Sequence, residues 1–281
     1  MQVITHTDEM RHWRRAQADP DIGFVPTMGA LHEGHLSLVR RAAAENDVVV
    51  ASIFVNPLQF GPNEDLARYP RMPEQDLMQL DRAGVAACFL PSAKELLGAD
   101  MQTYVDMNGL PDHLCGLKRP GHFRGVCTIV TKLFNIVAPR RAYFGRKDLQ
   151  QLLIIEKMVR DLNFNVEIIA CPIVRETDGL AMSSRNLYLS PPERRDATVL
   201  SQAIRRVAAS DWLGRAASSI IDELTTMIGS VPSARIDYIS IVDRRLFDVE
   251  TVAPGDILAL AVFIGATRLI DNYIFGEQID F

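Results

Sequence analysis

Apolar runs and amphipathic runs alternate along the first 170 or so residues. "IGFVP" (residues 22–26), "DVVVASIFV" (47–55), "VAACFL" (85–90), "RAYFG" (141–145) and "VEIIAC" (166–171) are short and largely apolar. Several are apolar on both faces, the pattern of strands buried inside a parallel sheet. Between them, "HLSLVRRAAAEN" (35–46), "PEQDLMQLDRAG" (73–84), "GVCTIVTKLFNIVAP" (125–139) and "DLQQLLIIEKMVRDLN" (148–163) read as helices. Pro73 at a helix start and Gly84 at its end fit the preferences of helix termini. Strand–helix alternation predicts an α/β fold, a parallel sheet covered by helices.

The pattern changes after Pro172. "IVRETDGLAMSSRNLYLSPPERRDA" (173–197) is polar and turn-rich. Helical stretches near 192–209 and 215–228 follow. "ARIDYISIVD", "ILALAVFIGATRLI" and "DNYIFG" then read as consecutive strands with no helix between them. This predicts two domains: a parallel-sheet domain over 1–172 and a smaller α+β C-terminal domain over 173–281. There is no internal repeat.

Composition adds mostly exclusions. Hydrophobic residues make up 48% and charged residues 23%, ordinary for a soluble globular chain. The net charge of -5, without a long basic run, argues against nucleic acid or an anionic membrane as partner. The four cysteines, Cys88, Cys115, Cys127 and Cys171, form no CxxC pair. They read as free thiols in a reducing compartment. "MQVITHTDEMRHWRRAQ" has no apolar centre to make a secretory signal, and "ILALAVFIGA" is too short to span a bilayer. The expected location is the cytoplasm.

Ligands of open parallel sheets bind beyond the carboxyl ends of the strands. "PTMGALHEGH" falls at the end of the first such strand. His32 and His35, three residues apart, share a face on a first helical turn, with Gly34 leaving room for a ligand. A helix N-terminus with two imidazoles suits a phosphate. "HEGH" lacks the spacing of HExxH zinc helices, and only His122 is conceivable as a third ligand. Neither a GxGxxG loop nor a Walker A sequence is present.

Three further stretches fit a nucleotide and a small polar substrate. Asn56 and Gln59 in "SIFVNPLQF" offer neutral amides, although Asn-Pro is also an ordinary turn former. "FGRKD" places Lys147, suited to phosphate, and Asp148, suited to a ribose hydroxyl, at another carboxyl end. Asp148 can also cap the helix that follows. "MSSRN" combines two hydroxyls and a guanidinium in a segment that either closes over a polyphosphate or serves as a mobile linker.

"PTMGALHEGH", "SIFVNPLQF", "RYPR", "RPGHFRGV", "YFGRKDLQQ" and "DGLAMSSRN" occur in the order and spacing of pantothenate synthetases, so the chain resembles that family from about residue 24 to 189. HxGH alone marks only the wider nucleotidylyltransferase and class I tRNA synthetase superfamily. The resemblance implies a Rossmann-like ATP domain and a lid-like C-terminal domain. It implies condensation of pantoate with β-alanine, driven by ATP through a pantoyl-adenylate, with magnesium and a homodimer. Matched residue by residue, it implies ATP contacts from Met28, Gly29, Ala30, Leu31, His32, Glu33, Gly34 and His35, with His35 as proton donor. Gly145, Arg146, Lys147 and Asp148 match the ATP loop, Val174 an adenine contact. Met182, Ser183, Ser184 and Arg185 match the segment that closes on the triphosphate. His32, His35, Lys147 and Arg185 are the implied catalytic set. Gln59 and Gln151 match the amides that hold pantoate, with Asn56 beside them, and Asp76 stands as the magnesium-side carboxylate. Arg146 departs from the pattern, and its role is open.

Two other readings remain: a nucleotidylyltransferase that leaves AMP on a phosphorylated product, and a nucleotide-binding module without catalysis.

Overall fold

The computed structural model describes all residues except Ala18, Asp19, Asn63, Asp280 and Phe281. The chain runs through β1 (Gln2–Ile4), α1 (Thr7–Ala16), β2 (Ile22–Thr27), α2 (Glu33–Glu45), β3 (Val48–Ile53), α3 (Pro73–Arg82) and β4 (Ala87–Phe89). Then come α4 (Ala93–Leu97), α5 (Leu114–Lys118), α6 (His122–Val137), β5 (Arg141–Gly145), α7 (Leu149–Asp161) and β6 (Glu167–Cys171). These six strands form one parallel sheet in the order β1-β4-β3-β2-β5-β6. Strand order reverses at β2, which has β3 on one side and β5 on the other. The crevice beyond the carboxyl ends of β2 and β5 is therefore the topological switch point, where such sheets bind ligands.

Neighbouring β2 residues feed opposite cores, because side chains alternate across a strand. Phe24 packs with Phe134 and Phe144 on one face. Val25 packs with Leu38, Val39 and Tyr143 on the other. Both faces are covered, which is why these strands read as unbroken apolar runs.

The remainder contains α8 (Pro191–Asp196), α9 (Val199–Ala208), α10 (Ala217–Gly229), β7 (Ala234–Val242), β8 (Ile257–Ile264) and β9 (Thr267–Ile274). Its three strands form an antiparallel sheet, a small domain beside the Rossmann-like one. Alternation again gives two faces. Leu258 and Leu260 join the core of α9 and α10. Ile257 and Ala259 join the core of the large domain. The small sheet is thus packed against the parallel-sheet body.

Several boundaries differ from the sequence reading. β1 and α1 lie in the stretch read only for a signal. The run "ILALAVFIGATRLI" is two strands, not one, with Gly265 and Ala266 as the loop of a hairpin. The third strand starts at Thr267, not Asp271. The stretch 192–209 splits into α8 and α9, and α6 starts three residues earlier than read. Among the described residues, no helix is long and apolar enough to cross a membrane.

Candidate active site

The loop after β2 is built around a buried carboxylate. Gly29 and Ala30 both have positive φ, +82° and +50°, which turns consecutive N–H groups inward. Asp76 of α3 accepts the N–H of Ala30 at 2.9 Å and of Leu31 at 2.8 Å. Thr27 Oγ1 accepts the N–H of Gly29. His32 is the N-cap of α2 and His35 its third helical residue. The His32 N–H donates to Nδ1 of His35 at 3.3 Å, and the two rings lie 4.1 Å apart. The N–H groups of Glu33 and Gly34, the first two helical positions, keep no partner among the described residues.

Gly34 serves the histidine rather than the ligand alone. A Cβ there would stand 2.9 Å from Cε1 and Nδ1 of the His32 ring. Burial, then the charge of Lys147, brings the His32 pKa down to about 4. Burial, with His32 and Lys147, pushes His35 well below the usual imidazole range. Both rings are neutral at pH 7.

The amide group at Gln59 rests on a second network. Asn56 is buried, donates from Nδ2 to Gln59 Oε1 at 3.0 Å and to Gly125 O at 3.0 Å, and accepts the Leu58 N–H. Gly125 permits this approach: a Cβ would meet the Leu58 carbonyl at 2.2 Å. With its carbonyl occupied, Gln59 directs Nε2 at Met28 Sδ, 3.0 Å away, so β2's loop and this turn meet. The Gln59 main-chain carbonyl accepts from His122 Nδ1 at 2.7 Å and from Arg119 at 3.2 Å. His122 Nε2 faces Arg119, which also forms a two-point pair with Glu64. Burial and Arg119 lower the His122 pKa to about 4.

At the end of β5, residues Arg146–Asp148 form a 3-10 turn leading into α7. Among the described residues, Lys147 has no carboxylate partner, so its charge is unneutralised. Asp148 occupies the N-cap of α7, but its side chain makes no capping bond. Arg146 pairs with Glu277 at 2.6 and 2.7 Å.

Residues 174–182 fold into a short hairpin: Met182 N–H donates to Val174 O, and Arg175 bridges Ala181. This pairing ties the start of Met182–Asn186 back to Val174. Arg185 forms a two-point pair with Asp65, 3.0 Å for each bond. Burial opposes charge on both partners, but the pair outweighs it, raising Arg185 and lowering Asp65. Ser184 is buried against the Tyr69 hydroxyl, and Ser183 accepts the Arg185 N–H.

Lys147, Asp148, Gln151, Ser183 and Arg185 line one cavity of about 350 Å³, closed on its far side by the small sheet. His32, His35 and Gln59 do not line it. They lie beside it at the end of β2: the Gln59 carbonyl is held by Arg119 and His122, which do line the cavity, and Gly34 faces Met182.

A sequence profile described as "Pantoate-beta-alanine ligase" matches residues 2–274. The chain belongs to the pantoate–β-alanine ligase family. It is 53% identical over 281 residues to the pantothenate synthetase of Thermotoga petrophila, covering 98% of this chain and 100% of the other. Identity to the Clostridium novyi pantothenate synthetase is 56% over 256 residues, 90% of each chain. It superposes on the pantothenate synthetase of Thermus thermophilus with a TM-score of 0.92 at 45% identity, covering 98% and 99% of the two chains. The pantoate–β-alanine ligase of Francisella tularensis, solved with "Beta-gamma ATP and Beta-alanine", aligns at TM-score 0.83 and 34% identity over 99% of each chain.

Three of the residues matched to this ligase family take other places here. Asp76 is 1% exposed and accepts a loop N–H at each carboxylate oxygen, so its bonds in this structure anchor the loop. Asn56 is held inside the protein by three bonds, one of which orients the Gln59 amide. The Glu33 side chain turns outward to pair with Arg40, leaving only its main-chain N–H near the site. His122, the conceivable third metal ligand, has both ring nitrogens held by Arg119 and Gln59. Conversely, Glu64, Asp65 and Arg119 line the cavity and Tyr69 packs behind it against Ser184 and Arg185, although none stands out in the sequence. "RYPR" and "RPGHFRGV" carry two of them but give no clue to their distant partners.

Proposed function

We propose that this chain condenses pantoate with β-alanine, using ATP, to give pantothenate, AMP and pyrophosphate through a pantoyl-adenylate. The observation that carries the reading is one juxtaposition: two neutral imidazoles at the end of β2 beside the unneutralised Lys147 at the end of β5, in a chain of this family. Support also comes from the Francisella relative, whose structure is described with an ATP-type ligand and β-alanine.

Pantoate carboxylate and ATP repel one another in water. Lys147, the N–H groups of Glu33 and Gly34 and the two imidazoles supply fixed donors for the phosphates, at no reorganisation cost during reaction. Gln59 and Gln151 orient the acid so that a carboxylate oxygen faces the α-phosphorus. That oxygen bonds to phosphorus and pyrophosphate leaves. The neutral amine of β-alanine then attacks the acyl carbon, the carbon–oxygen bond breaks, AMP departs and the nitrogen loses a proton. Arg185 joins the phosphate donors if a polyphosphate replaces Asp65 as its partner. Met28 to Leu31 contribute backbone shape, Val174 and the Gly145 end of β5 the walls around the nucleoside, and Asp148 an acceptor for a ribose hydroxyl.

Among the described residues, no group of three His, Cys, Asp or Glu side chains can hold a metal ion. The described residues therefore offer no dedicated protein cage for magnesium, which the ion does not require. Magnesium is read as arriving with ATP, held chiefly by phosphate oxygens and water. We take 1–172 as the ATP- and pantoate-binding domain, 173–281 as the lid-like domain, the cytoplasm as location and a homodimer as assembly.

Incubation with ATP, magnesium, pantoate and β-alanine, followed by mass analysis, tests the reading. Pantothenate, AMP and pyrophosphate are expected. A product that retains AMP indicates a nucleotidylyltransferase; bound nucleotide without pyrophosphate indicates a binding module.

A further inference from the structure

Strand β9 sets a carboxylate and a carboxamide side by side, Asp271 and Asn272, in the otherwise mostly apolar "RLIDNYIFG". Both are buried, at 2% and 7% exposure. Burying such groups is costly unless they are bonded, and both are. Asn272 Nδ2 donates to the main-chain carbonyls of Arg146 at 2.9 Å and Lys147 at 3.0 Å. Asp271 accepts two bonds from Arg175, at 2.7 and 3.0 Å, and also takes the Asn272 N–H at 2.8 Å. Arg175 in turn donates to Gly179 O, at the tip of the hairpin that leads into Met182–Arg185. Adjacent strand residues leave on opposite sides. One strand thereby grips two separate loops.

We propose that Asn272 and Asp271 are positioning residues for the adenylation step, setting Lys147 and the Met182–Arg185 segment relative to each other. The inference rests on reading Gly145–Asp148 as the ATP loop. A lysine side chain has four flexible carbons, and this one has no carboxylate partner to hold its end. What is fixed is the direction in which it leaves the main chain. Two bonds from one amide to successive carbonyls fix both peptide planes around Lys147. A carboxylate at 272 has the same shape but only acceptors, so it would repel those carbonyls. The small sheet is then part of the scaffold of the phosphate site.

The test is pantoate-dependent exchange of labelled pyrophosphate into ATP. It uses Asn272→Ala and Asn272→Asp, each in the parent and in a Lys147→Ala background, with thermal unfolding alongside. In the parent, both substitutions should slow exchange on the order of tenfold or more and raise KM for ATP, because small misplacements of a reacting group are costly. KM for pantoate should stay unchanged. In the Lys147→Ala background, the further loss should shrink to about twofold or less, the non-additivity expected of groups acting through one another. A full additional loss in that background overturns the proposal. So does a parallel rise in pantoate KM, or normal exchange in a folded Asn272→Ala protein. Should Asn272→Asp fail to fold, Asn272→Ser, with one donor left, should fall between parent and Asn272→Ala; equality with either overturns it. If the parent itself shows no pantoate-dependent exchange, the reaction reading has failed instead. Direct ATP binding then decides the positioning: Asn272→Ala should weaken it in the parent and leave it unchanged in Lys147→Ala.

Discussion

The main-chain N–H of His32 donates to Nδ1 of His35 at 3.3 Å. With Nδ1 used as an acceptor, the single proton of the neutral ring belongs on Nε2, at the opposite edge. One local bond thus turns His35 into a hydrogen-bond donor without requiring a charge.

Negative charge moves toward the departing pyrophosphate during adenylation, so a donor aimed there stabilises the transition state more than the ground state. His35→Ala should slow pantoyl-adenylate formation by about a hundredfold, the usual effect of losing such a donor. Attack of β-alanine on preformed adenylate should slow much less, since no pyrophosphate leaves. His35→Asn can still accept the His32 N–H and separates capping from catalysis. Single-turnover kinetics of each half-reaction measures both; normal adenylation by folded His35→Asn would reduce His35 to a helix cap.

The pH response follows from the depressed imidazoles. A donor that works in the neutral form needs no protonation, so kcat/KM for adenylation should show no histidine inflection from about pH 5 to about pH 7. Stability behaves differently. Below the unfolded value of about 6.5, the unfolded chain takes up protons that native His32, His35 and His122 refuse. The histidine contribution should therefore be flat above that pH and increasingly destabilising as pH falls toward about 4, where His32 and His122 protonate. Denaturant midpoints across this range check the sign. An activity step near the ordinary histidine pKa that disappears in His35→Asn would contradict the neutral donor.

Asp76→Ala strands two buried N–H groups. At roughly 1–3 kcal/mol for each unsatisfied group, stability should drop by about 2–6 kcal/mol. The magnesium dependence of exchange should not move. Urea unfolding and a magnesium titration separate these; near-normal stability with a shifted metal dependence would restore the metal role.

Gln59 and Lys147 should fail in different ways. Gln59→Ala should raise KM for pantoate with little change for ATP, each lost bond being worth about 0.5–1.5 kcal/mol. Lys147→Ala should lower the adenylation rate more, because its charge faces polyphosphate. Asn56→Ala should resemble a mild Gln59→Ala. Equal small effects on both substrates in folded variants would count against these assignments.

What the sequence discloses depends on separation along the chain. The histidine pair is legible because His32 and His35 meet within one helical turn. The buried strands are legible because both their faces are covered. β1 escapes because three residues carry no period. The β8–β9 hairpin is hidden because its loop is only two residues, Gly265 and Ala266, set within a mostly apolar run. Asp76 stands out as an acid, but its partners are 45 and 46 positions away, and nothing local tells an anchor from a metal ligand. The Glu64–Arg119 pair spans 55 positions, and Asn272 reaches 125 positions back to Lys147. Such contacts exist only once the sheet order brings strand ends together. A carboxylate next to an amide in an apolar strand is the one sequence signal that points toward Asp271 and Asn272.

The central claim is that the pantoate carboxylate attacks the α-phosphorus of ATP. Pantoate labelled with heavy oxygen in its carboxylate follows that atom directly. It should pass into the adenylate bridge and remain with the phosphate when the amine displaces AMP, so mass analysis should find one labelled oxygen in each AMP formed. Label in inorganic phosphate with ADP as co-product, or unlabelled AMP, would contradict the account.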